Sequence, residues 1–198
     1  TANGRPPTAI RSAPMKIEKK SLASWATTER DHYESVLKQF VEIPSVSADP
    51  ARAGDVRRCA EEAAKLIRSF GGESKLLETD GYPIVHGSFK SSANAPTLTI
   101  YNHMDVQPAS RETEPWDTEP FQFTKKGDRY FGRGTTDDKG PALSALWGIR
   151  AAREAGVPLN LNVLWELEEE IGSPSFESAI RKYRKELATD SVLVSDTI

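Results

Sequence analysis

Hydrophobic residues recur at helical spacing in two stretches near the start of the chain. The first runs from Thr28 to Ile43 and the second from Ala51 to Phe70, where a Gly-Gly pair follows. Apolar residues three and four positions apart fall on one face of a helix, so both stretches predict amphipathic helices with a buried side. Residues 1–27 lack this pattern, and we interpret them as a disordered leader before a domain that spans 28–198.

The rest of the chain alternates between short extended segments and helices. In chain order we expect strands at 73–78, 83–89 and 97–101, a hairpin at 121–130, a helix at 138–155, a strand at 159–167, a helix at 173–187 capped by Ser173, and a buried strand at 191–195. Strands that alternate with helices in the second half predict an α/β fold with parallel central strands.

Polar side chains follow one of these predicted strands. His103 and Asp105 come after the strand at 97–101, and alternation along an extended backbone places them on the same side. An aspartate two residues from a histidine can hold one ring nitrogen by a hydrogen bond and leave the other for a metal. Two such residues alone are more typical of a surface loop, so the pattern needs support from elsewhere in the chain.

That support comes from carboxylates at three other places. Asp137 lies in a glycine-rich turn that opens a helix, Glu169 and Glu170 follow an apolar strand, and Asp196 follows the last strand. Adjacent aspartates at a helix start are often caps, and acidic runs are often solvated, as we expect for the neighbouring Glu168. Ligands of open α/β sheets bind beyond the carboxyl ends of the strands, so we expect the site residues to share one crevice.

Composition narrows the chemistry of such a site. The chain has one cysteine, Cys59, which excludes an internal disulfide and a cysteine-based zinc finger. A metal would rest on histidine and carboxylates, a donor set typical of Zn²⁺, Mn²⁺ or Co²⁺, and a shared carboxylate can bridge two ions. The formal net charge of −3 argues against nucleic acid as a partner, and the short apolar stretches argue against a membrane or a secretory signal. We expect a cytoplasmic protein.

Longer motifs lie in order around these residues. They are His-Met-Asp-Val-Gln-Pro at 103–108, Pro-Trp-Asp-Thr-Glu-Pro-Phe at 115–121, Tyr-Phe-Gly-Arg-Gly-Thr-Thr-Asp-Asp-Lys-Gly-Pro at 130–141, Glu-Glu-Ile-Gly-Ser at 169–173 and Val-Ser-Asp at 194–196. Together they resemble the M20 family of dinuclear metallopeptidases, and within it the non-specific dipeptidase and carnosinase branch. The resemblance implies a zinc-exopeptidase-like fold, in which helices cover both faces of an open mixed sheet in three layers.

The resemblance also implies a role for each site residue. By this resemblance His103 and Asp196 are ligands of one metal, and Glu170 is a ligand of the second. Asp137 is the bridging carboxylate, with a cis peptide bond to Asp138. Asp105 orients the histidine, and Glu169 is the general base that activates a metal-bridging water. The implied cofactors are two divalent ions, with Zn²⁺ preferred over Mn²⁺ and Co²⁺.

One part of the family pattern is missing from this sequence. Members carry a lid or dimerisation domain after the Asp196 position and then supply a last histidine ligand, and neither is found here. We therefore interpret residues 28–198 as the truncated N-terminal part of a catalytic domain. The whole protein is expected to hydrolyse dipeptides or short peptides as a homodimer joined through the lid, and the fragment alone is expected to be inactive. Two alternatives stay open, an N-acyl amino acid deacylase or desuccinylase on the same fold and a non-catalytic metal-binding module.

Overall fold

The computed structural model describes residues 18–196. Over these residues the helices are α1 (Lys19–Val41), α2 (Ala53–Ser69), α3 (Lys139–Glu154) and α4 (Phe176–Lys182), with short 3-10 helices at Pro50–Arg52 and Glu169–Ile171. The strands are β1 (Glu73–Leu77), β2 (Ile84–Phe89), β3 (Thr97–His103), β4 (Thr124–Lys126), β5 (Arg129–Phe131), β6 (Asn160–Glu166) and β7 (Ser191–Val194). In this part of the chain no helix is both long and apolar enough to cross a membrane.

Five strands form one sheet in the order β1-β2-β6-β3-β7, and β4 pairs with β5 as the predicted hairpin. Strands β6, β3 and β7 run parallel, whereas β1 and β2 pair antiparallel to their neighbours. The predicted α/β fold with parallel central strands is therefore confirmed. The register pairs His103 with Glu166 and Tyr101 with Val194, so the carboxyl ends of the three parallel strands lie side by side.

Helices cover the sheet on both faces. Successive residues of a strand point to opposite sides, so Val163 and Trp165 of β6 face one layer while Leu164 faces the other. The first side packs against α1, α2 and α3 in the main core cluster. The second side packs Leu164 with Ile84 and with Ala179 of α4 in a smaller cluster. This arrangement confirms the three-layer architecture.

The first helix starts earlier than predicted. It begins at Lys19 rather than Thr28, so residues 19–27 of the predicted leader are helical, and residues 1–17 lie outside the described part. Thr27 and Thr28 lie inside the helix, where their hydroxyls donate to the carbonyls four residues back, Ala23 and Ser24. The early start of α1 was missed because a contact distant in sequence holds its first turns, in which the Trp25 ring N–H donates to the carboxylate of Glu154 in α3.

The helix predicted at 173–187 is shorter. It runs from Phe176 to Lys182, and Ser173 lies outside it with a positive φ of 53°. Ser173 instead closes the preceding loop, since its N–H donates to the carbonyl of Glu168. A serine before a proline is a common cap signal, and here the loop that returns from β6 uses the same residues for its own turn.

The last strand is exposed, although the sequence predicted a buried strand. All four residues of β7 are exposed, with Val194 at 61%. The strand occupies an edge of the sheet and hydrogen-bonds only β3 among the described strands. A run of apolar residues predicts a strand between two covering layers, but the sequence of a strand does not reveal its place in the sheet.

Candidate metal centre

The carboxyl ends of the three parallel strands form one crevice. His103 is the last residue of β3, Glu169 and Glu170 follow β6 after two residues, and Asp196 follows β7 after one residue. The turn that carries Asp137 leads into α3 at the same edge. The structure therefore brings together the residues that the sequence placed at strand ends.

His103 lies at the centre of this group and is fully buried. Its Nδ1 is 3.1 Å from the backbone carbonyl of Asp105 and 3.4 Å from the Oδ1 of the same residue. A carbonyl only accepts, so Nδ1 carries a hydrogen. The Nε2 atom faces three carboxylates, at 2.9 Å from Asp137, 3.8 Å from Glu169 and 3.8 Å from Asp196. Nε2 is thus the ring atom available to a metal.

The turn before α3 carries two adjacent aspartates, and both contact His103. The peptide bond between Asp137 and Asp138 is cis, as the resemblance implied. Asp137 is half exposed in the crevice, whereas Asp138 is buried and accepts hydrogen bonds from the Asn102 side chain at 2.8 Å and from the His103 N–H at 3.1 Å. The turn is tight enough to need a glycine at Gly140, where a Cβ would lie 2.0 Å from a backbone oxygen.

The loop after β6 is anchored by Asp105. Its carboxylate accepts the backbone N–H of Glu169 at 3.2 Å and that of Glu170 at 3.1 Å, and it is completely buried. The Glu170 carboxylate is itself held by Gln107, whose Nε2 donates to Oε2 at 2.7 Å. Asp105 therefore contacts both the ring of His103 and the loop that carries the two glutamates.

Glu168 differs from its expected role as a solvated neighbour. It is buried, and its carboxylate accepts the N–H groups of Tyr82 at 3.0 Å and Ser175 at 3.1 Å. These bonds tie the loop after β6 to the segments on either side of it. The acidic run thus divides into one buried structural residue and two residues that face the crevice.

Crowded acidic groups shift several pKa values. Burial raises the pKa of Asp138 to about 7, against the opposing effect of its hydrogen bonds from Asn102 and His103. Burial lowers the pKa of His103, but the hydrogen bond and the charge of Asp105, together with other nearby carboxylates, outweigh it and raise the value to about 10. Burial also raises the pKa of Glu170, although the bond from Gln107 works in the opposite direction. Negative charge therefore accumulates at this edge, where a divalent cation would relieve it.

Two overlapping sets of donor atoms fit a divalent metal. The ligand atoms of His103, Asp138 and Asp196 lie within 4.8 Å of one another, and so do those of His103, Asp137 and Glu170. The buried Oδ1 of Asp138 also has no hydrogen-bond partner in the described part of the chain. Imidazole and carboxylate donors suit Zn²⁺ and similar ions, so the residues present fit the metal chemistry that the sequence implied.

Sequence reasoning missed four supporting residues. These are Ser47, Asn102, Lys139, and Asp138, whose carboxylate belongs to one of the two metal-ligand sets. The pair of adjacent aspartates before α3 was the available signal for Asp138. Nothing local marks Ser47, Asn102 or Lys139, because their partners lie far away in sequence.

Comparison with known proteins identifies relatives over most of the chain. A family model described as peptidase family M20/M25/M40 matches residues 99–196. The chain is 36% identical over 199 residues to a Cys-Gly metallodipeptidase of Schizosaccharomyces pombe, and the match covers 92% of this chain and 41% of that protein. It is 28% identical over 202 residues to the human Beta-Ala-His dipeptidase, covering 93% of this chain and 39% of that protein. The chain thus spans about two fifths of the length of these curated relatives.

Solved structures agree with the sequence comparisons. Human carnosine dipeptidase 1 superposes with a TM-score of 0.81 at 26% identity, over 90% of this chain and 41% of that chain. An M20 family metallo-carboxypeptidase from Sulfolobus solfataricus superposes with a TM-score of 0.75 at 32% identity, over 83% of this chain and 37% of that chain. All the site residues from His103 to Asp196 fall within the range that the family model matches.

Proposed function

We propose, since this chain belongs to peptidase family M20/M25/M40, that the protein from which it comes hydrolyses the peptide bond of dipeptides or short peptides with divalent metal ions. The single observation that carries this proposal is the convergence of carboxylates from three separate loops on one imidazole nitrogen. Structural ion pairs seldom gather several acids around one buried histidine, whereas a metal centre requires such a set.

The donor atoms divide between two ions, for which Zn²⁺ is the preferred identity and Mn²⁺ and Co²⁺ are alternatives. His103 and Asp196 would hold one ion and Glu170 would hold the other, with Asp137 as the carboxylate that both ions would share. Asp105 holds the Nδ1 side of the ring, so that Nε2 faces the crevice. Bound divalent ions supply activation of water and polarisation of the scissile carbonyl.

Glu169 is the proposed general base. Its side chain is about one third exposed in the crevice, and its Oε2 lies 3.8 Å from His103. It is therefore beside the donor atoms without being enclosed by them. A carboxylate in this position accepts the proton of the attacking water and returns it to the leaving amine.

The substrate class follows from the relatives rather than from the pocket. The names of the two relatives described above, a Cys-Gly metallodipeptidase and a Beta-Ala-His dipeptidase, both specify a dipeptide substrate. We therefore assign dipeptides or short peptides as substrates, and place the lid and dimer contacts in the part of the protein beyond the matched length. A cytoplasmic location completes the proposal.

The experiment compares substrates on the full-length protein before and after removal of metal. Ala- or Gly-containing dipeptides should be hydrolysed, a chelator should abolish turnover, and added Zn²⁺, Mn²⁺ or Co²⁺ should restore it. The 198-residue chain, assayed beside it, should turn over no peptide. Preferential hydrolysis of N-acetyl or N-succinyl amino acids would replace the peptidase by a deacylase. Metal uptake without any turnover would indicate a non-catalytic metal-binding module.

A further inference from the structure

The segment that follows α1 runs beside the segment that follows β3. Val46 forms a parallel bridge with Val106, and the Val106 N–H donates to the carbonyl of Ser45 at 3.0 Å. The Ser45 hydroxyl donates to the carbonyl of Met104 at 2.7 Å. Ser45 and Ser47 are both buried. This segment therefore lies against the backbone on either side of Asp105.

The next residue of that segment reaches the carboxylate itself. The Ser47 hydroxyl lies 2.6 Å from Asp105 Oδ2, and that same oxygen accepts the Glu170 N–H. The other oxygen, Oδ1, accepts the Glu169 N–H and faces the ring of His103. Hydrogen bonds to an ionised acceptor are short and strong, so three donors on one buried carboxylate fix its orientation.

We propose that Ser47 is a positioning residue for the hydrolytic reaction, which acts through Asp105 on the loop that carries Glu169 and Glu170. The inference rests on the proposed function for its catalytic consequence, but the hydrogen-bond path that carries it is present without metal. Without the Ser47 donor, the carboxylate keeps its two amide bonds but can rotate, so the glutamates lose their fixed placement relative to His103.

Ser45 provides a matched control. It lies two residues away on the same segment, is also buried and donates a hydrogen bond, but its acceptor is a backbone carbonyl rather than Asp105. A general packing or folding defect should affect both serines alike. An effect carried by Asp105 should appear for Ser47 alone.

The first measurement is backbone hydrogen exchange on the metal-free, full-length protein. Ser47→Ala should raise the exchange rate of the Glu169 and Glu170 amides about fivefold, as expected for the loss of one net hydrogen bond. Ser45→Ala should leave those two amides at the parental rate. Equal exchange of these amides in both variants would overturn the inference.

The second measurement is peptide hydrolysis by the metal-loaded protein. Because the general base acts in the transition state, Ser47→Ala should lower kcat about tenfold while KM stays within about twofold. Ser47→Thr, which keeps the hydroxyl, should recover most of kcat, and an unrecovered or unchanged kcat contradicts the proposal. If Ser47→Ala does not fold, Ser47→Cys takes its place, because a thiol is a weaker hydrogen-bond donor than a hydroxyl. Equal amide exchange rates and equal kcat values in the Cys and Thr variants would then contradict the proposal. A parental protein without metal-dependent hydrolysis refutes the proposed function instead, and the exchange experiment still decides the role of Ser47.

Discussion

The side chains at the sheet edge form two sets that differ in burial. Asp137, Glu169 and Asp196 are partly open to solvent, with 48%, 38% and 27% of their side chains exposed. Asp105 and Lys139 are completely buried, and each makes two hydrogen bonds to the backbone of a segment distant in sequence. The exposed set offers the oxygens that a metal or a water molecule can reach, and the buried set holds the loops on which those oxygens are placed.

This difference in burial separates the residues that would take part in the reaction from the residues that hold them in place. The exposed carboxylates carry like charges that repel one another, and all three face the Nε2 atom of His103. Their positions depend on the backbone, and the backbone is fixed by the buried donors and acceptors. Changes in the exposed set should therefore alter rate or metal content at nearly constant stability, and changes in the buried set should alter stability or placement.

The largest expected effect lies within the exposed set. Glu169→Gln in the full-length protein should lower kcat by about 10²–10⁴-fold, because an amide cannot accept the proton. Its metal content should stay near the parental level, since Glu169 is not an assigned ligand. Glu170→Gln should deplete metal instead. Elemental analysis beside steady-state kinetics checks both, and equal metal loss in the two variants would contradict the division of labour between the glutamates.

The buried aspartate should control how the metal-free protein responds to pH. The folded pKa of Asp138 is about 7, above the value of 3.8 for an unperturbed group. Between these values the folded state binds more protons than the unfolded state, so this group makes stability fall as pH rises from 4 to 7. Its share is a few kcal/mol. The raised pKa of His103, about 10, extends the fall from pH 6.5 to 10.

Urea denaturation of the metal-free protein across pH measures this effect. Asp138→Asn should make the decline between pH 4 and 7 shallower and leave the decline above pH 7. Added Zn²⁺ should stabilise the parental protein more at high pH, because its ligands bind in the deprotonated form. Parallel stability profiles for the parent and the variant below pH 7 would show that Asp138 does not carry the proton.

Lys139 connects the turn before α3 to the end of α1. Its Nζ donates to the carbonyls of Phe40 at 2.9 Å and Ile43 at 2.7 Å. Lys139→Met keeps an unbranched side chain of similar length but loses both hydrogen bonds. We expect the free energy of unfolding to fall by about 2 kcal/mol. Lys38→Met, on the exposed side of α1, should change the free energy of unfolding by less than about 0.5 kcal/mol. Similar effects of the two substitutions would mean that Lys139 does not brace this turn.

The two sets also differ in how well the sequence predicted them. Glu169 and Asp196 of the exposed set follow apolar strands, and the position of a strand end is a local property of the chain. The partners of Ser47 and Lys139 lie 58 and 99 residues away, so their roles depend on how the segments pack. The same reason explains the exposed edge strand β7 and the early start of α1, because both are decided by neighbours distant in the sequence.

The smallest expected effect tests a residue between the two sets. Gln107 is exposed, yet its Nε2 donates to the Glu170 carboxylate at 2.7 Å and to the Glu170 carbonyl at 3.2 Å. The bond orients one oxygen of Glu170 and opposes the rise in its pKa that burial causes. Gln107→Leu should therefore leave Glu170 freer to rotate and easier to protonate. We expect metal affinity to fall by up to about tenfold, the lower end for an outer-shell partner.

Competitive metal titration of the full-length protein measures this change, and Gln39 offers the control. Gln39 is also exposed and donates to a glutamate, Glu62, at 3.4 Å on the surface of α1 and α2. Gln39→Leu removes a similar amide from a place far from the crevice and should leave metal affinity unchanged. The loss in Gln107→Leu should grow as pH falls, because protons then compete for the Glu170 carboxylate. Identical affinities in the two variants at every pH would show that Glu170 is positioned without Gln107 or does not bind the metal.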